Sequence, residues 1–590
     1  MPSNAGYSLF IKEAFIEPIR SVLIVDDDYP TFSEILDRQS CENDPGRREE
    51  ESKKRWRKDP DGIKKIVESF RAPGRPLLVD IHDGENVGHG EEKKVAAHLH
   101  QSDLLVLDYQ LDGANGDGSK AIDIARSVMS NNHFNLVVVH TNAGLSEVFP
   151  DMLLGLMSVR EDLLNEEDLK SAQVLIEAAE LDIADITDRI RESFSREQYF
   201  VARQGLRAAL SSAQRGNPPF AAFRAICEER GWTGGAISQI YSWAQYDFEV
   251  RNRPKMNPNV DTALTWSVEG QWIRSKSAFF AFTKKGKNKN ILDELLGALV
   301  AWSPKPSRLF LTRLRAELGE YGVVAEDAAL GNDYVLARWY YQLLQGTKLN
   351  RRTLIEESVA RHTEQLMDFV RPNVEKFAGR LVDKDAKGKL KGIELVKWHF
   401  KVDLGDLRET NRANRDHNVF ACSKKPEGWH IETGHIFQMS DEYWICLSPT
   451  CDLVPGQKVS GHFKEVAKHM PFLAVKLRSL SEGQVSAIKD IQSNRYLFLE
   501  LKEEIKSFCI NDPSQVNSAP HWFPLYAANS GVFEKDLSID ISKIEMGSSK
   551  LVTRKYRAQV IGQLRYEYAI NLMQTLGANF TRVGLGFSGE

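Results

Sequence analysis

Four short apolar runs punctuate the N-terminal part of the chain: Val22–Val25, Leu77–Val79, Leu104–Leu107 and Leu136–Val139. Each is continuous rather than alternating, the pattern of parallel strands covered on both faces. Between the third and fourth lies Gly118–Met129, whose apolar residues Ala121, Ile122, Ala125, Val128 and Met129 fall at helical spacing. Strand, helix, strand in this order predicts a doubly wound α/β domain over residues 1–155.

The texture then changes. Residues 156–390 read as mainly helical, with Glu161–Arg191, Asn290–Trp302 and Leu354–Val370 as the clearest helices. Within them Arg251–Asn290 is turn-rich and basic, ending in Lys284-Lys285-Gly286-Lys287-Asn288-Lys289, and reads as a solvated loop. Residues 391–590 read as a β-rich domain: His430–Phe437 and Tyr443–Leu447 are strand-like, Asp512-Pro513 signals a turn, and Trp522–Tyr526 is apolar. Val552–Thr575 is expected to be a terminal helix. Cys41–Pro60 is almost wholly charged and reads as a solvated insertion in the first domain.

Composition narrows the class without naming it. A chain of 590 residues is too long for one core, so several domains are expected. A formal net charge of −5 gives no general pull toward nucleic acid or anionic membrane. The six cysteines have no CxxC pair, which argues against a disulfide framework or zinc ribbon. Charges interrupt every apolar stretch of the first 21 residues, and no apolar window is long enough to span a membrane. A cytoplasmic protein is the expectation.

The chemistry lies at the ends of the strands. The first run ends in Asp26-Asp27-Asp28, the third in Asp108, and the fourth, after His140, in Thr141. In an open parallel sheet these ends meet at one crevice. Carboxylates packed together repel one another, and a hard divalent cation such as Mg2+ relieves this. Asp108 can then act as a carboxylate nucleophile toward a phosphoryl group, with Thr141 donating a hydrogen bond to a phosphoryl oxygen.

These segments resemble the receiver domains of response regulators. SVLIVDDD is similar to their first strand, DLLVLDYQL to their acceptor strand, and VVVHT to the strand that ends in a switch hydroxyl. The resemblance implies a flavodoxin-like (CheY-like) fold and an aspartyl phosphate on Asp108. It also implies Mg2+ held by Asp26, Asp27, Asp108 and the backbone carbonyl of Gln110, with Thr141 as the switch hydroxyl and a sensor histidine kinase as partner. Receivers close with a fifth strand ending in Lys. Leu153–Arg160, where it is expected, contains none, and neither Lys305 nor Lys170 is suitably placed. The glycine after the acceptor is also displaced, with Gly113, Gly116 and Gly118 as candidates.

The start FIEPIRSVLIVDDD and the unfamiliar tail are similar to receivers of bacterial conflict systems, above all the Detocs anti-phage two-component system. There a kinase feeds two receiver proteins, one with a toxic nucleosidase and one that acts as a phosphate sink. A chain with a receiver and no recognisable nucleosidase matches the sink, and a homodimer is compatible with that role. No winged-helix pattern, P-loop, GGDEF-like sequence, zinc-hydrolase motif or G-x-S-x-G elbow marks a common output module. Cys451 in Ser448–Leu453, with His430, His435 or His462 as base, is a nucleophile candidate; a buried small residue in a turn is the simpler reading. Nucleic-acid binding through Lys284, Lys285 and Lys287 is the remaining rival.

Overall fold

Val22, Leu23, Ile24 and Val25 are all buried, as are Leu104–Leu107 and Leu136–Val139. Such strands need neighbours on both edges and cover on both faces. The computed structural model describes residues 4–30, 60–72, 74, 76–84, 102–111, 116–130, 133–160, 166–183, 185–258, 263–286, 290–330, 333–345, 348–455, 469–481, 483–484, 496–502, 504–511 and 519–580. Nearly all of the charged insertion 41–60, with Cys41, Gly113, Lys287, His462 and Asp512-Pro513, falls outside them. The chain divides into two compact units, Met1–Ala316 and Glu317–Glu590.

The first unit is built on a seven-stranded sheet of order β2-β1-β3-β4-β7-β6-β5. Its strands are β1 (Ser21–Val25), β2 (Leu78–His82), β3 (Leu104–Leu107), β4 (Asn135–Thr141), β5 (Thr265–Ser267), β6 (Trp272–Arg274) and β7 (Ala278–Lys284). The first five in spatial order are parallel, and β6 and β5 add an antiparallel edge. That parallel core is the flavodoxin-like order, with β7 as the fifth strand. β2 is the other edge, where Leu78 is 73% exposed, so the second run is not covered on both faces as expected.

Helices α1 (Pro60–Phe70) and α2 (Ser119–Met129) make the first crossovers. After β4 the chain enters α3 (Leu145–Leu156), which occupies the place where a fifth strand was expected. It then leaves the receiver pattern. Among the described residues six further helices follow: α4 (Glu166–Glu180), α5 (Ile186–Ser193), α6 (Arg196–Gln204), α7 (Leu206–Arg215), α8 (Ala221–Glu229) and α9 (Gly235–Asn252). The single helix expected over Glu161–Arg191 is therefore α4 and α5, parted by Leu181–Asp185.

Only then does the chain return to the sheet. Arg251–Asn290 is not a solvated loop, because it contains β5, β6 and β7. The run Ala278-Phe279-Phe280-Ala281-Phe282 is buried throughout, and burial of that much apolar surface outweighs the charge beside it. The first domain thus does not end near residue 155; its sheet is interrupted there and completed more than a hundred residues later. One hydrophobic core runs from Val25, Leu107, Val139 and Phe280 through α3 into Phe194, Tyr199, Phe223, Tyr241 and Phe248 of the inserted helices.

The other face of the sheet is capped by α10 (Ile291–Trp302), whose Asn290 side chain accepts from the Leu292 amide at the N-cap. Trp302 meets Phe279 and Phe15 at ring-centroid distances of 5.2 and 5.8 Å.

The second unit holds α11 (Lys348–Ala386), which includes the expected Leu354–Val370 helix, and shorter helices at Ile393–Phe400 and Leu407–Cys422. Its strands are β8 (Ser423–Lys424), β9 (His435–Met439), β10 (Glu442–Cys446), β11 (Met470–Leu480), β12 (Tyr496–Leu501), β13 (Glu504–Cys509), β14 (Trp522–Ala527), β15 (Ser538–Met546) and β16 (Leu551–Leu564). β10, β9, β16, β15, β14 and β11 pair in sequence, and β11 pairs back to β10, closing an antiparallel barrel. Closure removes the barrel's own free edges. Phe437, Trp444, Phe472, Leu525, Ile541 and Val560 lie in one of its two apolar clusters. The C-terminal helix α12 (Tyr566–Phe580) packs Leu572 and Leu576 into the other. The helix expected over Val552–Thr575 is a correction, because its first half is β16.

His435 begins β9 with no solvent exposure. Its Nδ1 accepts from the Glu432 amide at 2.9 Å and its Nε2 donates to the Glu427 carbonyl at 3.0 Å. Burial pushes its pKa from 6.5 down to about 4. The unfolded chain therefore takes up a proton first as pH falls, and stability drops between about 6.5 and about 4. The drop is on the order of 3 kcal/mol. Thermal unfolding of the second unit is expected to move to lower temperature over that window. The His435→Gln variant should show a clearly flatter pH dependence; an identical slope would show that His435 is not the titrating group.

Candidate functional site

Each strand ending delivers one side chain to the carboxyl edge of the sheet. Asp26 follows β1, Asp108 follows β3, Thr141 closes β4, and Lys285 follows β7. Register fixes them. The Asp108 amide donates to the Val25 carbonyl at 2.9 Å, and the Asp26 amide to the His82 carbonyl at 3.0 Å. Thr141 pairs with Lys284 across the parallel β4–β7 ladder, and the Lys285 amide donates to the Thr141 carbonyl at 2.9 Å.

Asp26, Asp27 and Asp108 offer carboxylate oxygens that all lie within 4.8 Å of one another. Asp26 and Asp108 are 3% and 5% exposed. The Asp28 amide donates to Asp26 Oδ1 at 3.0 Å, and the Gln110 amide to Asp108 Oδ1 at 3.3 Å. These donors turn the carboxylates and hold them in place. Thr141 is fully buried, and its hydroxyl oxygen accepts from the Ala143 amide at 3.1 Å.

The lysine missing from the sequence reading is Lys285. Its Nζ lies 2.7 Å from Asp26 Oδ2 and 2.7 Å from Asp108 Oδ2. Its side chain is 3% exposed. Burial works to lower the ammonium pKa, but Asp26 and then Asp108 more than offset this and hold it above its ordinary value. Burial pushes the Asp26 carboxyl the other way, up to about 7; Lys285 pulls it down and Asp108 adds to the rise.

Lys285 stands far beyond the spacing from Thr141 at which a receiver's closing lysine is expected. The local signal was present: a continuous apolar run, AFFAF, ending in Thr-Lys-Lys. The basic stretch around it has the composition of a solvated loop, which masks that signal. Lys305 stands beside the helix Pro306–Leu330 and Lys170 lies in α4; both are exposed. Of the proposed nucleic-acid contacts, Lys284 is exposed while Lys285 points into the acidic cluster.

Other expected residues sort clearly. Gly118 is the glycine that matters. Its φ is +74°, and a Cβ there would lie 2.1 Å from the Tyr109 ring. Cys451 is exposed in the turn Thr450–Leu453, not buried. Its sulfur donates to Asp452 Oδ1 at 3.5 Å, and that carboxylate holds its pKa up. Among the described residues no histidine contacts it. His435 has both ring nitrogens committed to backbone groups.

Three carboxyl groups beside one ammonium leave an excess of negative charge, which the two positive charges of a magnesium ion would offset. The donors are all oxygens, as magnesium prefers. Asp26, Asp27 and Asp108 can therefore hold Mg2+, and an Asp108 oxygen is available to a phosphoryl group.

Residues 18–193 match the family model of the response receiver domain. The match supports a response-regulator receiver in this part of the chain, a domain of phosphoryl-accepting two-component signalling whose partner is in general a histidine kinase. It stops at the end of α5, before the strand that brings Lys285. No curated protein and no solved structure matches the chain. No helix among the described residues is long and apolar enough to cross a membrane.

The site's charges set the expected metal affinity. Asp26→Asn removes a ligand charge and should weaken Mg2+ binding by roughly tenfold or more. Lys285→Met removes the competing cation and should strengthen it by a similar factor. Isothermal titration calorimetry reads both. Equal affinity in Lys285→Met and wild type would separate the ammonium from the metal site.

Proposed function

We propose that this chain is a two-component signalling protein that accepts a phosphoryl group from a sensor histidine kinase on Asp108. The observation that carries the reading is the Lys285 ammonium, 2.7 Å from both Asp26 and Asp108, beside the Asp27 carboxylate. An oxygen of Asp108 would form a bond to phosphorus as the P–N bond of the phosphohistidine breaks. The imidazole nitrogen keeps the electron pair. Mg2+, held by Asp26, Asp27, Asp108 and the Gln110 carbonyl, supplies neutralisation of the phosphoryl oxygens when bound. Lys285 adds a second cation on the same side, and Thr141 a hydroxyl donor. The protein would act in the cytoplasm, with no enzyme activity of its own beyond loss of the phosphoryl group.

The finer reading is a phosphate buffer in anti-phage defence, sharing its kinase with a second receiver protein that carries a toxic effector. The resemblance of FIEPIRSVLIVDDD and the strand motifs to such receivers supports it. A receiver without its lysine would hold a phosphoryl group rather than relay it. Lys285 removes that argument and favours a second reading, a receiver that drives an output within residues 156–590.

Incubation with phosphorylated histidine kinase tests acceptance directly. Wild type is expected to gain acid-stable, base-labile label and Asp108→Ala none; equal labelling of both defeats the proposal. In cells carrying the kinase and partner receiver, a buffer's Asp108→Ala variant should release toxicity without infection. A driver's variant should instead silence the response.

A further inference from the structure

We propose that the inserted helices α4–α9 are the built-in output element of this receiver, coupled to Asp108 through Tyr109, Asp151 and Arg196. The inference rests on the phospho-acceptor reading above and concerns how that site is read out.

The insertion is anchored at the chemistry itself. The chain leaves the sheet at Thr141, rejoins it at the β5–β6 edge, and then runs along β7 beside β4 to Lys285. A phosphoryl group on Asp108 adds about two negative charges and attracts both groups. The Thr141 hydroxyl oxygen accepts from the Ala143 amide at the entry to α3, so a movement of Thr141 toward the phosphoryl group pulls on that contact. Any such movement is applied to α3 first.

Tyr109 senses the same event from the acceptor side. It directly follows Asp108, and its hydroxyl donates to Asp151 Oδ2 on α3 at 2.6 Å. The Asp117 carbonyl is a second, longer acceptor at 3.1 Å. Burial, reinforced by Asp151, raises the phenol pKa, so it stays a neutral donor. The ring cannot swing aside independently, because it lies against Gly118 where not even a Cβ would fit. A shift of the backbone at residues 108–110 therefore either drags Asp151 or breaks its hydrogen bond.

Asp151 passes the contact into the insertion. Its Oδ1 pairs with Arg196 Nη1 at 2.8 Å. Arg196 is the first residue of α6, a helix capped by Ser195 and Gln198, and Gln198 Nε2 donates onward to the Pro219 carbonyl before α8 at 2.9 Å. The neck of the insertion is stapled. The Asn257 amide donates to the Met157 carbonyl at 2.8 Å. Arg126 on α2 donates to the Gly155 carbonyl at 2.9 Å and to the Lys255 carbonyl at 2.8 Å, holding both ends. With a core shared between sheet and insertion, displacement of α3 has no slack in which to dissipate.

A part-buried tyrosine–aspartate pair would also exist as plain structural glue. The difference is whether it transmits. The full chain is treated with acetyl phosphate and Mg2+, and mass spectrometry follows the label and amide deuterium exchange on the same samples. Wild type is expected to take label, with exchange across Arg196–Gln204 rising about fivefold or more. Tyr109→Phe keeps the ring and should take the same label without the exchange response. Arg196→Gln, remote from the acceptor, should behave alike, and Asp108→Asn should show neither effect. Labelled wild type with unchanged exchange, or a full response in both Tyr109→Phe and Arg196→Gln, overturns the coupling and leaves the phospho-acceptor reading intact. Failure of wild type to take label overturns both.

Discussion

The first unit depends on one ammonium shared between two buried carboxylates. Lys285 sits 2.7 Å from both Asp26 and Asp108, with almost no solvent at any of the three. Each charge alone would be too costly to bury; together they compensate. Removing the lysine would leave two carboxylates buried without their cation, the situation in which breaking a buried pair costs about 3–5 kcal/mol. The contact also ties β1, β3 and β7 at one end. A chain that departs at Thr141 and passes through α3 to α9 must bring β7 back in register before this charge is satisfied.

That geometry explains what could be read from the chain and what could not. The acidic pair, the acceptor and the hydroxyl stand directly after apolar strands, so local pattern was enough to place them at one crevice. Lys285 also follows an apolar strand, but the neighbouring lysines disguised it and the insertion displaced it. Loop-closure cost rises only slowly with length, so a long excursion between two adjacent strands is thermodynamically tolerable. A search confined to normal spacing therefore fails for a reason unrelated to the chemistry.

The errors in the second unit have a different origin. In β16, Tyr556, Ala558 and Val560 alternate with Arg557 and Gln559, and Ala558 and Val560 are buried in the barrel while Arg557 is outside. This is the period of a half-buried strand, masked by the helix-forming Lys, Arg, Ala and Gln that fill it. Tertiary pairing with β15 and β9 outweighs those propensities. The barrel, by contrast, depends on β9 meeting β16, as in the Met439–Ala558 pair, a pairing between segments far apart in sequence that no local pattern encodes.

The charge balance of the site bears on which conformations it can hold. At rest, Lys285 answers two carboxylates and the acidic trio retains an excess of negative charge suited to a divalent cation. Were Asp108 to take a phosphoryl group, one of Lys285's two partners would become a bulkier and more charged anion, while Asp26 would remain buried and in need of the metal. The ammonium cannot keep both of its 2.7 Å contacts through that change unless its side chain or the end of β7 moves. β7 is paired to β4 along its whole length, and Thr141 lies at the end of that ladder. The inserted helices lie between these two strands in the chain, with α3 before them and β5 and β6 after them. The same ion pair that makes the folded site affordable thus makes it unable to absorb a new charge without a response in the elements that carry the insertion.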